Sequence, residues 1–552
     1  MLEALALLGE VFGKNTLWDN FEADYILVLE LDKSGNLKGI KLEEFTSEKL
    51  DKYLYKNSGT SNPPSWTPTL ALNRKEPIKS LKLLNGRLKE LLDIELKEDL
   101  NEIAERVKKE IGKLPSKKKV FITVKIEGKY LGEIPEAVES LKTFLNKKFE
   151  SNATGGICSL CLKQTKVVGK DNFPFKFYTL DKPGFIHGGF KNEAAIFPLC
   201  LDCVQKVKEG GKYVREHLNF TFTKGVNFYL IPELVKEDRE NLKRLVKKIL
   251  ETEAEREDGL TEDRGEALTS DERRIFKRIS QEGNYFYVHL LFITKDQAAE
   301  RIDLYLQGIY PSRLKELFEC KRKVEDFLNK EVSFNYSVAG EFLKGDTFYE
   351  YIYATFRGVK FDQNTLLGSL LERLRILAVE VEKEQSLSKL LFAIKRALAV
   401  YLFELCTRGG LNMSNMESQT LEEFLNRFPH LSGAFEKGVF LLGVLTQYLL
   451  EVQQKERGNK PFLKKLKGFK LRPEDFEKLY TEVRAKLEEY DRWGKKVAFL
   501  FGEAGKYLLS SPQKPKITQR EANFIFATGM GLKNEVFNLL KEEEKEEVTT
   551  NG

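Results

Sequence analysis

Histidine, methionine, tryptophan and cysteine are scarce in this chain of 552 residues, which carries four, four, three and six of them respectively. The few histidines, His187, His217, His289 and His430, are scattered, and none stands beside an aspartate as metal-phosphohydrolase chemistry requires. No glycine loop closes on Gly-Lys-Ser or Gly-Lys-Thr, which removes the usual phosphate cradle of nucleotide hydrolases. No Gly-Gly-Asp-Asp supplies the carboxylates of a polymerase-like palm. The acidic cluster Glu474, Asp475 and Glu477 follows Pro473, where a helix dipole favours carboxylates without any chemistry. A non-enzymatic protein is therefore expected. Six cysteines at this length do not make a secreted disulfide scaffold. The longest apolar stretch, Val439 to Leu450, is too short to span a bilayer and contains Gln447. The first residues, MLEALALLGEVFGKN, have neither a basic leader nor a small-residue cleavage site, so no signal peptide is expected and a cytoplasmic location is. No internal repeat is visible.

What is present suffices for real cores: 41% of the residues are hydrophobic and 11% aromatic, which excludes a mostly disordered chain. The length exceeds what one core serves, so three or four structural units are expected. The 90 basic and 84 acidic side chains leave only +6, so any nucleic-acid contact must come from local patches. The expected fold class is α+β: a mixed N-terminal body with hairpins, a zinc-knuckle insertion and an all-α C-terminal helical bundle. The expected limits are 1–154 for an N-terminal α/β domain and 155–215 for the insertion, followed by 216–363 for a central mixed domain and 364–552 for the bundle. DYILVLELDKSGNLKGIKLEEF predicts a hairpin about Lys33-Ser34-Gly35-Asn36, and HLNFTFTKGVNFYLIPEL predicts another about Lys224-Gly225. KKKVFITVKIEG and NYFYVHLLFIT predict strands, and Leu242, Leu245, Val246, Ile249 and Leu250 have helical spacing. The polar run ETEAEREDGLTEDRGEALTSDERR predicts an exposed loop, with Thr269 and Glu272 in capping-box spacing at its end.

Cys158, Cys161, Cys200 and Cys203 form two Cys-x2-Cys knuckles separated by 38 residues. Zinc needs four thiolates at the corners of a tetrahedron, and each knuckle offers two from one tight turn. Four sulfur ligands leave no open position, so one structural zinc is expected rather than a Lewis acid. The plainer alternative is two redox pairs or four buried thiols. His187, in the loop between the knuckles, is expected on the surface, and Cys320 and Cys406 stand alone in helix-like stretches.

Around these cysteines the phrases GGICSLCLKQT, FYTLDKPGFIHGGF, FPLCLDCVQKVKEG and NFYLIPEL, with HLLFITKDQAAERIDLYLQGIYPSRLKEL from His289 to Leu317, carry a family likeness. The chain resembles, over most of its length and in order, the CRISPR-associated large subunit of type I-B Cascade, subfamily b of the eighth Cas family. The resemblance implies a non-catalytic member of a ribonucleoprotein for antiviral defence. Such a subunit sits beside the backbone and handle-binding subunits and reads the protospacer-adjacent motif in double-stranded DNA. It also assists R-loop formation and docks the helicase-nuclease, while the guide RNA reads the target DNA by base pairing, a division of labour known from other RNA-guided effectors. Two other classes remain open: a free-standing zinc-ribbon nucleic-acid-binding protein, and a diverged polymerase-like CRISPR large subunit with enzymatic activity.

Motif reading needs a few hydrogen-bonding side chains at base edges. The loop from Lys56 to Thr69 offers Asn57, Ser58, Thr60, Ser61 and Asn62, with Trp66 as a wedge or stacking platform, for the motif or the guide handle. Its plainer identity is a surface loop anchored by Trp66. KERGNKPFLKKLKGFKLR sets Lys455, Arg457, Lys460, Lys464, Lys465, Lys467, Lys470 and Arg472 within eighteen residues, opposed in sequence only by Glu456 and interleaved with Phe462 and Phe469. Such a pattern suits an unwound single strand, and Lys495 and Lys496 extend it. A basic segment that packs its phenylalanines inward accounts for the same residues. Met413 follows Arg408-Gly409-Gly410, which a purine-rich ribosome-binding sequence can encode. The resemblance implies that residues 413–552 are also made separately as a small subunit from an internal start at Met413; an interhelical turn is the plainer alternative.

Overall fold

In YILVLEL the period-two alternation sends Ile26 and Val28 to one face of a strand and Leu27, Leu29 and Leu31 to the other, and all five are buried. A strand buried on both faces must be covered on both, and this requirement shapes the N-terminal third of the protein. The computed structural model describes residues 1–13, 18–58, 65–169, 174–175, 194, 196–250, 272–296, 299–384, 387–410, 420–510 and 516–540. They fall into two compact units, Met1–Glu216 and His217–Gly552.

The first unit runs α1 (Leu2–Phe12), β1 (Tyr25–Leu31), β2 (Leu37–Glu44), α2 (Leu50–Tyr53), β3 (Leu70–Ala71), α3 (Pro77–Leu92), α4 (Leu100–Ile111), β4 (Val120–Ile126), β5 (Lys129–Tyr130), α5 (Pro135–Asn152), β6 (Thr154–Ile157), β7 (Gln164–Val167) and α6 (Leu201–His217). Its main sheet has the order β2-β1-β4-β3, with β5 paired to β4, and β1 lies antiparallel to β2 but parallel to β4. The parallel pairing demands a crossover, which α3 and α4 supply; Leu81, Leu84 and Leu88 of α3 and Ile103 and Val107 of α4 close the core over Leu27, Leu29, Ile122 and Val124. The other face carries a smaller cluster in which Tyr53 and Tyr130 cover Ile26 and Val28. The β1–β2 hairpin turns as expected: Asp32 Oδ1 accepts from the backbone N–H groups of Ser34 and Asn36 at 2.9 Å each, and Gly35 takes φ 89°.

The second unit contains β8 (Asn219–Thr223), β9 (Val226–Leu234), α7 (Arg239–Leu250), α8 (Glu272–Ser280), β10 (Phe286–Asp296) and β11 (Ala299–Ile309), followed by helices alone. These are α9 (Pro311–Phe327), α10 (Tyr336–Phe342), α11 (Asp346–Arg357), α12 (Gln363–Glu384), α13 (Ser388–Thr407), α14 (Leu421–Asn426), α15 (Ala434–Arg457), α16 (Asp475–Glu489), α17 (Lys495–Leu509) and α18 (Gln519–Gly531). The sheet order is β11-β10-β9-β8, antiparallel throughout, and Gly225 at φ 79° turns the predicted β8–β9 hairpin. The mixed α+β architecture with an all-helical C-terminal region is thus the one expected. Most of the polar run 251–274 that was expected as a loop lies outside the described residues, as does Thr269 of its capping box.

α15 is the axis of the helical region, and its sequence is apolar around almost its whole circumference, so it packs on α16, α17 and α18 together. Gly443 and Gly529 let α15 and α18 touch backbone to backbone: a Cβ at Gly443 would lie 2.1 Å from the Phe526 carbonyl oxygen, and one at Gly529 would lie 2.0 Å from that of Phe440. No helix among the described residues is long and apolar enough to cross a membrane.

One pairing escapes the sequence, and one histidine is buried and satisfied as its place in an apolar strand predicts. Cys320 on α9 and Cys406 on α13 do not stand alone; they form a disulfide with Cα atoms 5.6 Å apart. Closing a loop across 86 residues removes about 4–5 kcal/mol of chain entropy from the unfolded state in the simple loop model. His289, buried within β10, bonds through Nε2 to Glu233 Oε2 at 2.7 Å and through Nδ1 to the Tyr305 hydroxyl at 3.1 Å, a satisfied core histidine.

Candidate metal centre and nucleic-acid interface

The first knuckle is the tip of the β6–β7 hairpin, and the second is the turn into α6, so two rigid elements deliver the four thiols. The Cys158 amide donates to the Lys163 carbonyl at 3.0 Å, the Leu162 amide donates to the Cys158 carbonyl at 2.9 Å, and Leu162 takes φ 59°. Across the gap the Ser159 amide donates to Pro198 O at 2.8 Å, and Val168 pairs with Leu199 in a two-residue bridge. These bonds dock one knuckle on the other. All four sulfurs lie within 4.8 Å of one another, with Cys161 Sγ and Cys200 Sγ 3.8 Å apart. A tetrahedron with metal–sulfur bonds of about 2.3 Å has an edge of about 3.8 Å, so this spacing fits a four-thiolate metal site.

The electrostatics point the same way. Burial raises the Cys158 thiol, but the backbone N–H groups of Cys161, Cys200 and Leu160 overcome it and hold the thiol down at about 6. Burial pushes Cys200 and Cys203 up; Cys158 and Cys161 add to the rise at Cys200 against the lowering by Cys203, and Cys200 and Cys158 add to it at Cys203. One thiolate forms readily while further negative charge is opposed, which is the condition a divalent cation relieves. The four cysteines can therefore hold a metal ion.

In the candidate motif loop, Asn57, Ser58 and Trp66 are described, whereas Thr60, Ser61 and Asn62 lie outside the described residues. The loop leaves α2 and returns to β3 through a short bridge between Asn57 and Ser65. Asp19 fixes its base by accepting from the Asn57 amide and from Lys56 Nζ, both at 2.9 Å. On the returning side Ser65, Thr67 and Thr69 are buried, and Thr69 Oγ1 meets Thr123 Oγ1 at 2.7 Å on the sheet. Trp66 is half-buried beside Phe144, with Lys148 Nζ 3.2 Å and Arg87 Cζ 4.9 Å from its ring centroid. Arg87 and Lys148 thus join this loop in space. They come from α3 and α5, too far along the chain for local reading to connect them.

In the basic segment after α15, Phe462 and Phe469 are buried, so their rings serve packing and are not surfaces for bases. Carboxylates from α16 meet several of the cations: Lys465 pairs with Glu482 at 3.3 Å, and Lys467 and Arg472 reach Asp475 at 3.2 and 3.8 Å. Lys464, Lys470 and Lys495 are exposed and have no ion-pair partner among the described residues, and Lys460 and Lys496 are half-buried. Met413 lies outside the described residues, as does His187.

Family models for the CRISPR-associated protein TM1802 match the chain three times in order: the N-terminal domain at residues 1–143, the central domain at 155–309 and the C-terminal domain at 334–545. The chain belongs to the CRISPR-associated TM1802 family. No curated protein matches it. The three matches support a role as the large subunit of a CRISPR-associated complex.

On the TM1802 framework the candidate motif loop falls in the N-terminal domain, all four cysteines in the central domain and the basic segment in the C-terminal domain. The central domain also presents a basic surface that sequence reading missed. α7 and α8 bury Leu242, Leu245, Val246, Ile249, Ile275, Phe276 and Ile279 and turn Lys243, Arg244, Lys247, Lys248 and Lys277 to solvent. Lys243 and Lys248 pair with Glu240 and Glu282. Lys247 and Lys277 have no partner among the described residues. Counted along the chain, these cations are cancelled by the acid-rich residues 251–271 that join the two helices, which conceals them.

Purified protein is expected to carry one tightly bound metal ion per chain, measured by elemental analysis. Cys158→Ala should abolish binding and lower the melting temperature, whereas Cys320→Ala should leave the metal content intact. Full metal occupancy in Cys158→Ala would contradict the site.

Proposed function

We propose that the chain is the large, non-catalytic subunit of a type I-B CRISPR surveillance complex (Cascade) in the cytoplasm. In this reading it recognises the protospacer-adjacent motif in double-stranded DNA, assists R-loop formation and recruits the helicase-nuclease in antiviral defence. The observation that carries the reading is the run of three TM1802 domain matches from residue 1 to residue 545. Its partners are guide RNA, target DNA and the backbone and handle-binding subunits.

One zinc ion at Cys158, Cys161, Cys200 and Cys203 holds the two knuckles together. With all four positions taken by thiolates it contributes folding energy and leaves no site for substrate. The loop after α2 reads the motif: Asn57 and Ser58 stand beside its anchored base, Arg87 holds Ser65 and Glu90 beneath Trp66, and Lys148 over the Trp66 ring supplies a phosphate contact that sets register. The cations Lys464 and Lys470, which have no ion-pair partner among the described residues, follow an opened strand by charge rather than by ring stacking, since the adjacent Phe462 and Phe469 are buried, and Lys495 adds its charge beside the exposed ring of Phe499.

Residues 413–552 are also produced separately from Met413 as a small subunit. α15 packs on α16, α17 and α18, all of which lie in that segment, giving the product a core of its own. It would uncover the face of α18 where Phe524 meets Tyr401 of α13, ring centroids 5.2 Å apart, and that face is where it joins its neighbours.

In the assembled complex, Asn57→Ala and Lys148→Ala are expected to weaken binding to a motif-bearing duplex about tenfold by gel shift, with guide RNA content unchanged. Equal affinity for duplexes with and without the motif in the unaltered complex would contradict the motif-reading role. Silent recoding of codons 408–410 should remove the short product and spare the full chain; a persisting short product counts against the internal start.

A further inference from the structure

A cleft of about 840 Å³ opens between the α10–α11 turn, the first half of α12 and the start of α18. Four cations line it: Lys344, Arg373, Arg375 and Arg520. Their partners are unusual for so many charges. Arg375 donates to the carbonyl oxygens of Gly468 and Phe469 at 3.1 and 3.2 Å, Arg520 donates to that of Asn364 at 2.8 Å, and Lys344 donates to that of Gly340. Arg373 has no partner among the described residues. A carbonyl oxygen accepts a hydrogen bond without cancelling a charge, so these cations remain uncompensated.

Of the two lining carboxylates, Glu341 is taken by Arg396 and Glu372 pairs with none of the four. Outside the lining, Asp362 is close enough to Arg520 for the cation to help lower its pKa, but its carboxylate is engaged by Thr365, which holds it down first. Gly368 matters here, because a Cβ at that position would lie 3.2 Å from Arg520 Cζ; the glycine lets the guanidinium rest close against α12, and a larger side chain would push it away.

The cleft does not end at α12. The two carbonyls held by Arg375 belong to Gly468 and Phe469, between the exposed Lys464 and Lys470. We propose that the cleft binds the phosphodiester backbone of a single-stranded nucleic acid, which continues from Arg373 and Arg520 past Arg375 to the loop bearing Lys464 and Lys470. The proposal deepens, and rests on, the reading of the chain as a nucleic-acid-handling CRISPR subunit. Planar guanidiniums match phosphate oxygens in pairs. The volume suits a few nucleotide units. The cations favour no particular base, so binding is indifferent to sequence.

The test is fluorescence anisotropy of a labelled oligothymidine with the full-length chain at a series of salt concentrations. Arg373→Ala and Lys344→Ala should each weaken binding about tenfold, leave the melting temperature unchanged and make the slope of log K against log salt shallower by about 0.7. Gly368→Leu, which displaces Arg520, should weaken binding similarly. Absence of binding by the unaltered chain, or unchanged affinity and slope in the Arg373 and Lys344 variants, overturns the proposal. So does displacement of the oligonucleotide by thymidine triphosphate at matched phosphate concentration, which would mark a mononucleotide site. Guide RNA recovered with the protein is scored separately. A chain that binds oligothymidine through Arg373 yet carries no guide RNA when expressed with its neighbouring genes and a guide array would sink the CRISPR reading and leave the cleft standing; the reverse result would do the opposite.

Discussion

The close contact of α15 with α18 governs the C-terminal half of this protein. Two glycines, Gly443 on α15 and Gly529 on α18, remove the side chains that would hold the helices apart. Any larger residue there forces backbone to move in a packed interior, which typically costs 1–3 kcal/mol or more. Surface features follow from that contact. Gln453 of α15 accepts from the Phe462 amide at 3.0 Å, and Asn523 of α18 bonds both the amide and the carbonyl of Leu471, at 3.0 and 2.7 Å. The basic segment is thereby pinned at both ends. With Phe462, Leu463, Leu466 and Phe469 drawn inward, Lys464 and Lys470 are turned to solvent, while Lys465 and Lys467 meet carboxylates of α16.

Much of the fold was legible because its determinants are local. Asp32 and Gly35 specify one turn and Gly225 another, and the alternation in β1 and β4 specifies two strands. The cysteine spacing specifies paired knuckles for the same reason. What stayed hidden depends on residues distant in sequence. Nothing near Cys320 points to Cys406, 86 positions away. The basic segment looked unopposed along the chain, yet α16 folds Asp475 and Glu482 against it. Trp66 was visible as an aromatic in a polar loop, but its two cations come from other helices. The cleft draws its charges from three parts of the chain, and no window of sequence contains them together.

These features suggest a division of labour. The four cysteines bring two knuckles together and can hold a metal ion there, a means of closing a segment that differs from the side-chain packing of the sheets and helices. The anchored loop offers a few polar side chains on a rigid base, which suits reading a short motif. The helical region offers fixed charge at Lys464 and Lys470, where the neighbouring rings of Phe462 and Phe469 are buried, which suits holding a strand of any sequence. In the proposed role, recognition of a long target falls to base pairing by a guide RNA, and the protein needs only shape, charge and a short motif.

The central claim, that this TM1802-family chain works inside a guide-RNA complex, is tested most directly by its composition after purification. The chain would carry a C-terminal tag and be expressed with its neighbouring genes and a guide array, and the retained proteins and nucleic acid would be weighed intact. The account predicts a stoichiometric complex containing guide RNA. Recovery of the chain alone and free of RNA, with the neighbouring proteins present in the lysate, would contradict it and favour an independent nucleic-acid-binding protein.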